Sequence, residues 1–352
     1  MPIDIIKILL PSSVAFVVGI VITPIVAHYL YKYKTWKKAP RTKGLLGDAT
    51  PIFNHLHKEK EVGTPRMGGI VIWGSVLITT FLFWIMSIVF PSFFSEKLNF
   101  LSNNQTWLPL FTLFSASIVG LIDDILQIRG RGTYVAGGLS LTRRIGLVLL
   151  IGLVGAWWFY FKLEYSSIQI PFMTDSFELG ILFIPFFMLV MLSLFSGGVI
   201  DGLDGLAGGI MASIFSAYAG IAFFQNQIDI ATLSAVLAGG ILAFLWFNIP
   251  PARFYMGETG MMGLTATLAV IAFLTKDVLP LLVIAFPLYV SSGSVIIQTL
   301  SKKLRNGKKI FLVAPIHHHF EALGWPSYKV TMRFWIVGII FAILGMIIAL
   351  VG

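Results

Sequence analysis

Long apolar runs alternate with short polar breaks along the whole chain. The apolar segments lie at 9–31, 68–91, 107–122, 143–161, 178–197, 205–224, 231–248, 261–275, 278–300 and 332–351. An α-helix needs about 20 mostly apolar residues to cross a bilayer, and most of these runs approach that length. The pattern therefore predicts an all-α polytopic membrane protein with ten spans. No internal repeat or low-complexity linker interrupts it, so one integral-membrane domain over 1–352 is expected. The amphipathic lead carrying Lys7 has no small-residue cleavage site, which predicts a retained first helix and not a signal peptide.

Composition agrees with the pattern. The 352 residues are 57% hydrophobic and 12% charged, with 30 Phe, more apolar surface than a soluble domain can hide. The absence of Cys excludes disulfides, a thiolate nucleophile and cysteine metal sites. The net charge of +9 has no aromatic-laced basic stripe of the kind that stacks nucleic-acid bases.

Charge distribution instead reports topology. Residues 32–66 carry nine Lys and Arg, 123–144 carry four, and 301–330 carry six; Arg253 and Arg333 fall on the same side. Lys7, Lys97, Lys162 and Lys276 fall on the other. The positive-inside rule then puts the basic face in the cytoplasm and both termini outside. Anionic lipid head groups on that face would reinforce the orientation.

The chemically notable residues collect on the same side. Asp201-Gly-Leu-Asp-Gly-Leu206 stands between two apolar runs. Carboxylates at a membrane edge are costly, so a functional site is the first reading and an Asp-Gly turn between helices the second. Asp201 and Asp204, spaced i,i+3, are expected to share a helix face. Such a pair suits Mg²⁺ with water and phosphate oxygens, or hydrogen bonds to a nucleotide or a lysine. Asp123 and Asp124 close the third run and point about 100° apart on a helix, so they are not expected to serve one ion. One is suited to coordinate or orient a group and the other to act as base, unless both are a solvated helix end.

Glu258 lies in the Asn248–Gly260 stretch, where Pro250 and Pro251 stop a regular helix. It is an oxygen-ligand candidate. Tyr255 suits either stacking on a base or interfacial anchoring, and Arg253 either pairs a phosphate or marks the membrane edge. His317, His318 and His319 suit hydrogen bonds to phosphate better than zinc, because adjacent histidines rarely face one ion. Thr64, in Gly63-Thr-Pro-Arg-Met-Gly-Gly69, either clamps a ligand or launches the second span. His28, His55 and His57 show no comparable pattern and are expected to be surface or packing residues. Asp175, Glu178 and Asp229 are expected to be solvated surface charges. Acids and imidazoles at head-group depth fit Mg²⁺-assisted phosphoryl transfer. A cation-coupled transporter is the rival class, and it would place its acids near the midplane.

These motifs jointly resemble the phospho-N-acetylmuramoyl-pentapeptide transferase family, within the polyprenyl-phosphate N-acetylhexosamine-1-phosphate transferase superfamily. The resemblance spans nearly the whole chain, from Gly63–Gly69 through Asp123-Asp124, the Asp201–Leu206 run and Asn248–Gly260 to Pro315-Ile-His-His-His-Phe-Glu321. It implies ten transmembrane helices in the bacterial inner membrane, a cytoplasmic cleft, a homodimer and a requirement for Mg²⁺. The implied reaction moves phospho-MurNAc-pentapeptide from its UDP-linked precursor to undecaprenyl phosphate, giving lipid I and UMP. A GlcNAc-1-phosphate transferase of the same superfamily is the alternative.

By motif position, the resemblance makes Asp123 the base on the lipid phosphate, with Asp124 beside it. Asp201 and Asp204 line the nucleotide and metal region, with Glu258 at the metal-binding aspartate's place. Tyr255 takes the uracil-stacking place with Gln298 near it, and His317, His318 and His319 meet phosphate or sugar. Thr64, Arg144 and Asn248 join the substrate-binding set. Departures are visible. Gly198-Val-Ile200 and Phe195 replace the usual Asn-Leu-Thr and an earlier Asn, Glu258-Thr-Gly-Met261 replaces Asp-x-Gly-Ser, Arg144 stands for a lysine, and Arg66 for a threonine.

Overall fold

A computed structural model describes residues 2–38, 51–52, 54, 62–101, 104–130 and 137–352. His55 and His57 lie outside the described residues. The helices are α1 (Pro2–Lys32), α2 (Gly69–Val89), α3 (Phe93–Leu98), α4 (Asn104–Ile128), α5 (Leu141–Lys162), α6 (Phe183–Ser196), α7 (Leu206–Phe224), α8 (Ile228–Asn248), α9 (Gly257–Leu274), α10 (Leu281–Ile284), α11 (Phe286–Leu304), α12 (Ile316–Ala322) and α13 (Ser327–Val351). Short 3₁₀ turns at Gly180–Leu182 and Gly197–Ile200 flank α6. One departure from an all-α chain is a two-residue antiparallel ribbon, β1 (Ser167–Ile168) with β2 (Phe177–Glu178), in the connection between α5 and α6.

Nine helical stretches among the described residues are long and apolar enough to cross a membrane. The run at 278–300 is the one that differs from expectation. It breaks at Ala285 into α10 and α11, and Pro287 sits in the first turn of α11, where its missing N–H costs nothing. The buried face of α11 carries Ser291, Ser294, Gln298 and Ser301, which lowers its apolar character below that of the nine.

The bundle is layered around α9. In its most apolar window 94% of α9 is buried, against 17% for α13. Helices share lipid as an apolar solvent, so close packing of small residues, not hydrophobicity, selects helix neighbours. A Cβ on Gly120 of α4 would fall 2.1 Å from the Glu258 carbonyl oxygen. One on Gly69 of α2 would fall 2.3 Å from the Gly260 nitrogen. These two glycines let α4 and α2 close on the first turn of α9. Nearer the other end, Phe159, Phe183, Phe187 and Phe273 stack α5 and α6 against α9. That end also carries the Lys7–Asp229 ion pair, so Asp229 is paired and not simply solvated. Asp175 and Glu178 are exposed, as is His28.

Candidate functional site

The N-terminus of α9 is the point on which the site converges. The first backbone N–H groups of a helix have no partner within it and carry a partial positive charge. Two carboxylates from elsewhere in the chain fill that role. Asp201 Oδ2 accepts the Gly257 N–H at 3.0 Å, and Asp124 Oδ2 accepts the Thr259 N–H at 2.9 Å and the Thr259 hydroxyl at 2.8 Å. Gly257 has a φ of 72°, a left-handed backbone that favours glycine. Its missing side chain also matters, since a Cβ there would lie 2.3 Å from Asp124 Oδ2. Arg66 approaches from the turn before α2, its Nε 3.4 Å from Asp124 Oδ1.

Asp123 and Asp124 are both 0% exposed and face different partners, as their helical spacing predicts. Asp123 Oδ1 accepts the Leu139 N–H at 2.6 Å, and its Oδ2 accepts Gln127 Nε2 at 2.7 Å. Arg144 completes the set. Its Nη2 lies 2.8 Å from Asp123 Oδ2 and its Nη1 2.7 Å from Glu258 Oε1, so one planar guanidinium ties α4, α5 and α9 together. Glu258 is therefore held by Arg144 at the rim of the acidic centre.

Asp201 and Asp204 do not share a helix face. Both lie in the turn between the 3₁₀ segment at Gly197–Ile200 and α7, where Gly202 and Gly205 interrupt helical structure; Gly205 has a φ of 77°. The pair thereby reaches two parts of one loop, Asp201 the Gly257 N–H and Asp204 the Ala252 N–H at 3.3 Å. Asn248 fixes the same loop, accepting the Gly205 N–H at 3.0 Å and donating to the Phe254 carbonyl at 2.8 Å. Burial pushes the Asp201 carboxyl up to about 6, with the Arg66 charge acting against it.

Tyr255 is half-buried beside Thr64, whose side chain hydrogen-bonds its phenol, and burial pushes that phenol up to about 12. Its backbone takes a Gly68 N–H and donates to the Pro65 carbonyl, each at 2.8 Å, which joins the Gly63–Gly69 motif to the loop before α9.

The segment before the last helix contains α12, which begins just after Pro315 and carries the three histidines. His317 and His318 meet the Asp201–Asp204 turn: a Cβ on Gly202 would fall 2.5 Å from His317 Nε2 and 2.7 Å from His318 Nε2. Glu321 Oε2 lies 2.7 Å from His318 Nδ1 and so fixes that ring with Nε2 toward the turn. His319 points elsewhere and accepts the Leu312 N–H at 3.2 Å through Nδ1. Gln298 is engaged with the return segment, accepting the Ile310 and Phe311 N–H groups at 3.0 Å each and donating to the Phe311 carbonyl at 2.8 Å.

The structure thus brings together Thr64, Asp123, Asp124, Arg144, Asp201, Asp204, Asn248, Tyr255, Glu258, His317 and His318. It sets Gln298 and His319 against the 310–312 backbone. Three participants went unassigned in the sequence: Thr259, Gln127 and Arg66. Arg66 alone left a signal there, as a cation where a threonine is usual. Among the described residues no three His, Asp or Glu side chains already surround one point at ligand distance. The donors are nonetheless hard oxygens, and Mg²⁺ commonly takes one or two carboxylates and completes its octahedron with water and substrate phosphate. Asp124 and Asp201, side by side at Gly257, fit that requirement.

Nine membrane-length apolar helical stretches among the described residues, with a carboxylate, arginine and imidazole centre at one end, define a polytopic helical membrane protein. The family model described as Glycosyl transferase family 4 matches residues 106–276. The chain is 34% identical over 349 residues to the phospho-N-acetylmuramoyl-pentapeptide-transferase of Anoxybacillus flavithermus, covering 97% of each chain. It is 32% identical over 345 residues to that of Bacillus subtilis, again with 97% of each covered. With that of a Geobacillus species it shares 36% over 301 residues, 82% of this chain and 85% of the relative. The chain belongs to the phospho-N-acetylmuramoyl-pentapeptide-transferase family.

Proposed function

We propose that the protein transfers phospho-MurNAc-pentapeptide from UDP-MurNAc-pentapeptide to undecaprenyl phosphate, releasing UMP and forming lipid I. This is the first membrane step of peptidoglycan synthesis. The observation that carries the reading is the meeting of Asp124 and Asp201 at the α9 N-terminus, with Arg66 and the His317–His318 pair beside them. That grouping offers anionic ligands for a cation and cationic or N–H donors for a diphosphate in one place.

In this reading Mg²⁺ would be held by Asp201 and would supply positive charge that neutralises the diphosphate. The chain's own groups do the rest. His317 and His318 direct their Nε2 atoms at the Gly202 turn, where they hydrogen-bond phosphate oxygens, and Glu321 keeps His318 in that orientation. Tyr255 stacks on the uracil, Thr64 steadies its phenol, and Asp204 and Asn248 hold the loop that carries it. Asp124 takes the proton of the lipid phosphate. Asp123, engaged by Gln127, Leu139 and Arg144, supports it from behind, while Asp124 keeps Oδ1 on the side of Arg66. An oxygen of the lipid phosphate then bonds to the sugar-bearing phosphorus, the bond from that phosphorus to the UMP oxygen breaks, and UMP leaves.

The basic face is assigned to the cytoplasm, with both termini outside, in the bacterial inner membrane. The family resemblance supports a homodimer. Purified protein with Mg²⁺ is expected to release UMP from UDP-MurNAc-pentapeptide only when undecaprenyl phosphate is present. Release from UDP-GlcNAc but not from the muramoyl precursor would overturn the substrate assignment.

A further inference from the structure

The return from α11 to α12 has a composition that the site does not use. Between Lys302 and Lys309 five of eight residues are cations, and no acid occurs between Asp277 and Glu321. Its setting is equally particular. The inward face of α11 is polar, with Ser291, Ser294, Gln298 and Ser301 buried, while Ile296, Ile297 and Leu300 are exposed. That inversion is what a helix bathed in lipid requires. Lys303 continues the outward face, three positions after Leu300 and seven after Ile296.

The return segment is fastened to the inward face. Ser301 Oγ donates to the Lys308 carbonyl at 2.9 Å, Gln298 holds Ile310 and Phe311, and Ser294 Oγ accepts the Ile316 N–H at 2.9 Å. The reversal is made by Asn306 and Gly307, with φ values of 50° and 84°. The result is a pinned finger, not a loose tail. Apolar side chains alternate with its cations: Leu304 is 77% exposed, Ile310 51% and Leu312 44%.

We propose that the finger from Lys302 to Leu312 is a docking surface for the head groups of bulk anionic phospholipids. Charge complementarity sets the head group, since there are several cations and no acid to pair a zwitterion's ammonium. The exposed leucines and isoleucine select a lipid surface over a soluble polyanion, because they continue the apolar outward face of α11 into the acyl boundary. Phosphates seat against Lys303, Arg305, Lys308 and Lys309 while Leu304 and Ile310 enter the membrane. The hydrogen-bond ladder that fixes the finger ends at Ile316, one residue before His317, so the docked surface also braces the start of α12.

Native mass spectrometry of the full chain in neutral detergent, titrated with phosphatidylglycerol or phosphatidylcholine, tests this. Wild type is expected to retain phosphatidylglycerol in preference, and raised salt to release it. The triple variant K303Q/K308Q/K309Q is expected to bind it about tenfold more weakly or worse, and K303R/K308R/K309R to retain it, since each cation near an anionic surface contributes roughly fivefold. Equal retention by the glutamine variant, or equal retention of phosphatidylcholine, overturns the proposal. Displacement by one equivalent of undecaprenyl phosphate also overturns it, because the lipid then sits in the substrate site. Should the glutamine variant not fold, the salt series on wild type decides, and a salt-insensitive adduct counts against the surface.

Discussion

Asp124 grips Thr259 at two points through one oxygen, its Oδ2 accepting the threonine's backbone N–H at 2.9 Å and its hydroxyl at 2.8 Å. The contact joins residues far apart in sequence and sets the start of α9 against α4. It also leaves Oδ1 on the side of Arg66. Asp124→Asn keeps an acceptor for Thr259 and removes the charge. The thermal midpoint in detergent is expected to move little, while UMP release falls about 100-fold or more, the usual scale for losing an acid–base group. Asp124→Ala strips the acceptor from two buried donors and is expected to cost about 1–3 kcal/mol of stability as well. Near wild-type turnover by the asparagine variant would reduce Asp124 to a helix cap.

Arg144 makes a second prediction through its fork. Its two terminal nitrogens serve Asp123 and Glu258 from one plane, which a lysine ammonium on a flexible stem does not reproduce. Arg144→Lys is expected to lose one charge-assisted bond, about 1.5–3 kcal/mol, and to lower turnover roughly tenfold. Because both act on the same pair, Arg144→Lys and Glu258→Gln are expected to be less than additive in thermal unfolding. Strict additivity would show that the pair contributes nothing as a unit.

At Gly202 the aspartate turn packs closely against α12. A methyl group there meets His317 and His318 at 2.5 and 2.7 Å, and both rings are buried. Gly202→Ala is expected to displace the imidazoles and raise KM for the UDP substrate about tenfold or more. Gly293→Ala is the control, since a Cβ there meets nothing within 4 Å and alanine favours a helix. Equal KM values for the two variants would separate the histidines from substrate binding.

The division between what was legible and what was not has a physical basis. Helices show in the sequence because lipid demands apolar residues over a fixed length, and this holds for the nine membrane-length stretches among the described residues. The run at 278–300 misleads because hydropathy averages over faces, and the inward face of α11 spends Ser294, Ser301 and Gln298 on the backbone of the segment that follows it. Polar residues at span ends likewise stand out, so the acids and histidines were visible as a group. Their partners were not. Asp201 and Asp204 were expected on one helix face, but Gly202 and Gly205 turn them toward different N–H groups. The pairings of Asp124 with Thr259 and Arg144 with Glu258 depend on α4 and α9 closing at Gly120, a tertiary contact that no local spacing encodes.

The far end of the bundle supplies a test by pH. Asp277 is 8% exposed and takes Gln225 Nε2 at 2.6 Å, while the Tyr218 hydroxyl holds its backbone carbonyl at 3.0 Å. Burial pushes its carboxyl up to about 6, with the Gln225 hydrogen bond acting against the rise. An aspartate in the unfolded chain titrates at about 3.9, so between these values the folded protein binds the extra proton. Stability from this group is therefore fully present below about pH 4 and lost as pH rises through about 6, with no further change above. Asp277→Asn keeps a carbonyl acceptor for Gln225 and does not titrate. Thermal midpoints of the two proteins, measured from pH 4 to 8, are expected to diverge with rising pH until about 6, wild type falling relative to the variant, and to run parallel beyond. Profiles parallel over the whole range would mean that Asp277 is ionised throughout and that its burial is relieved by solvent.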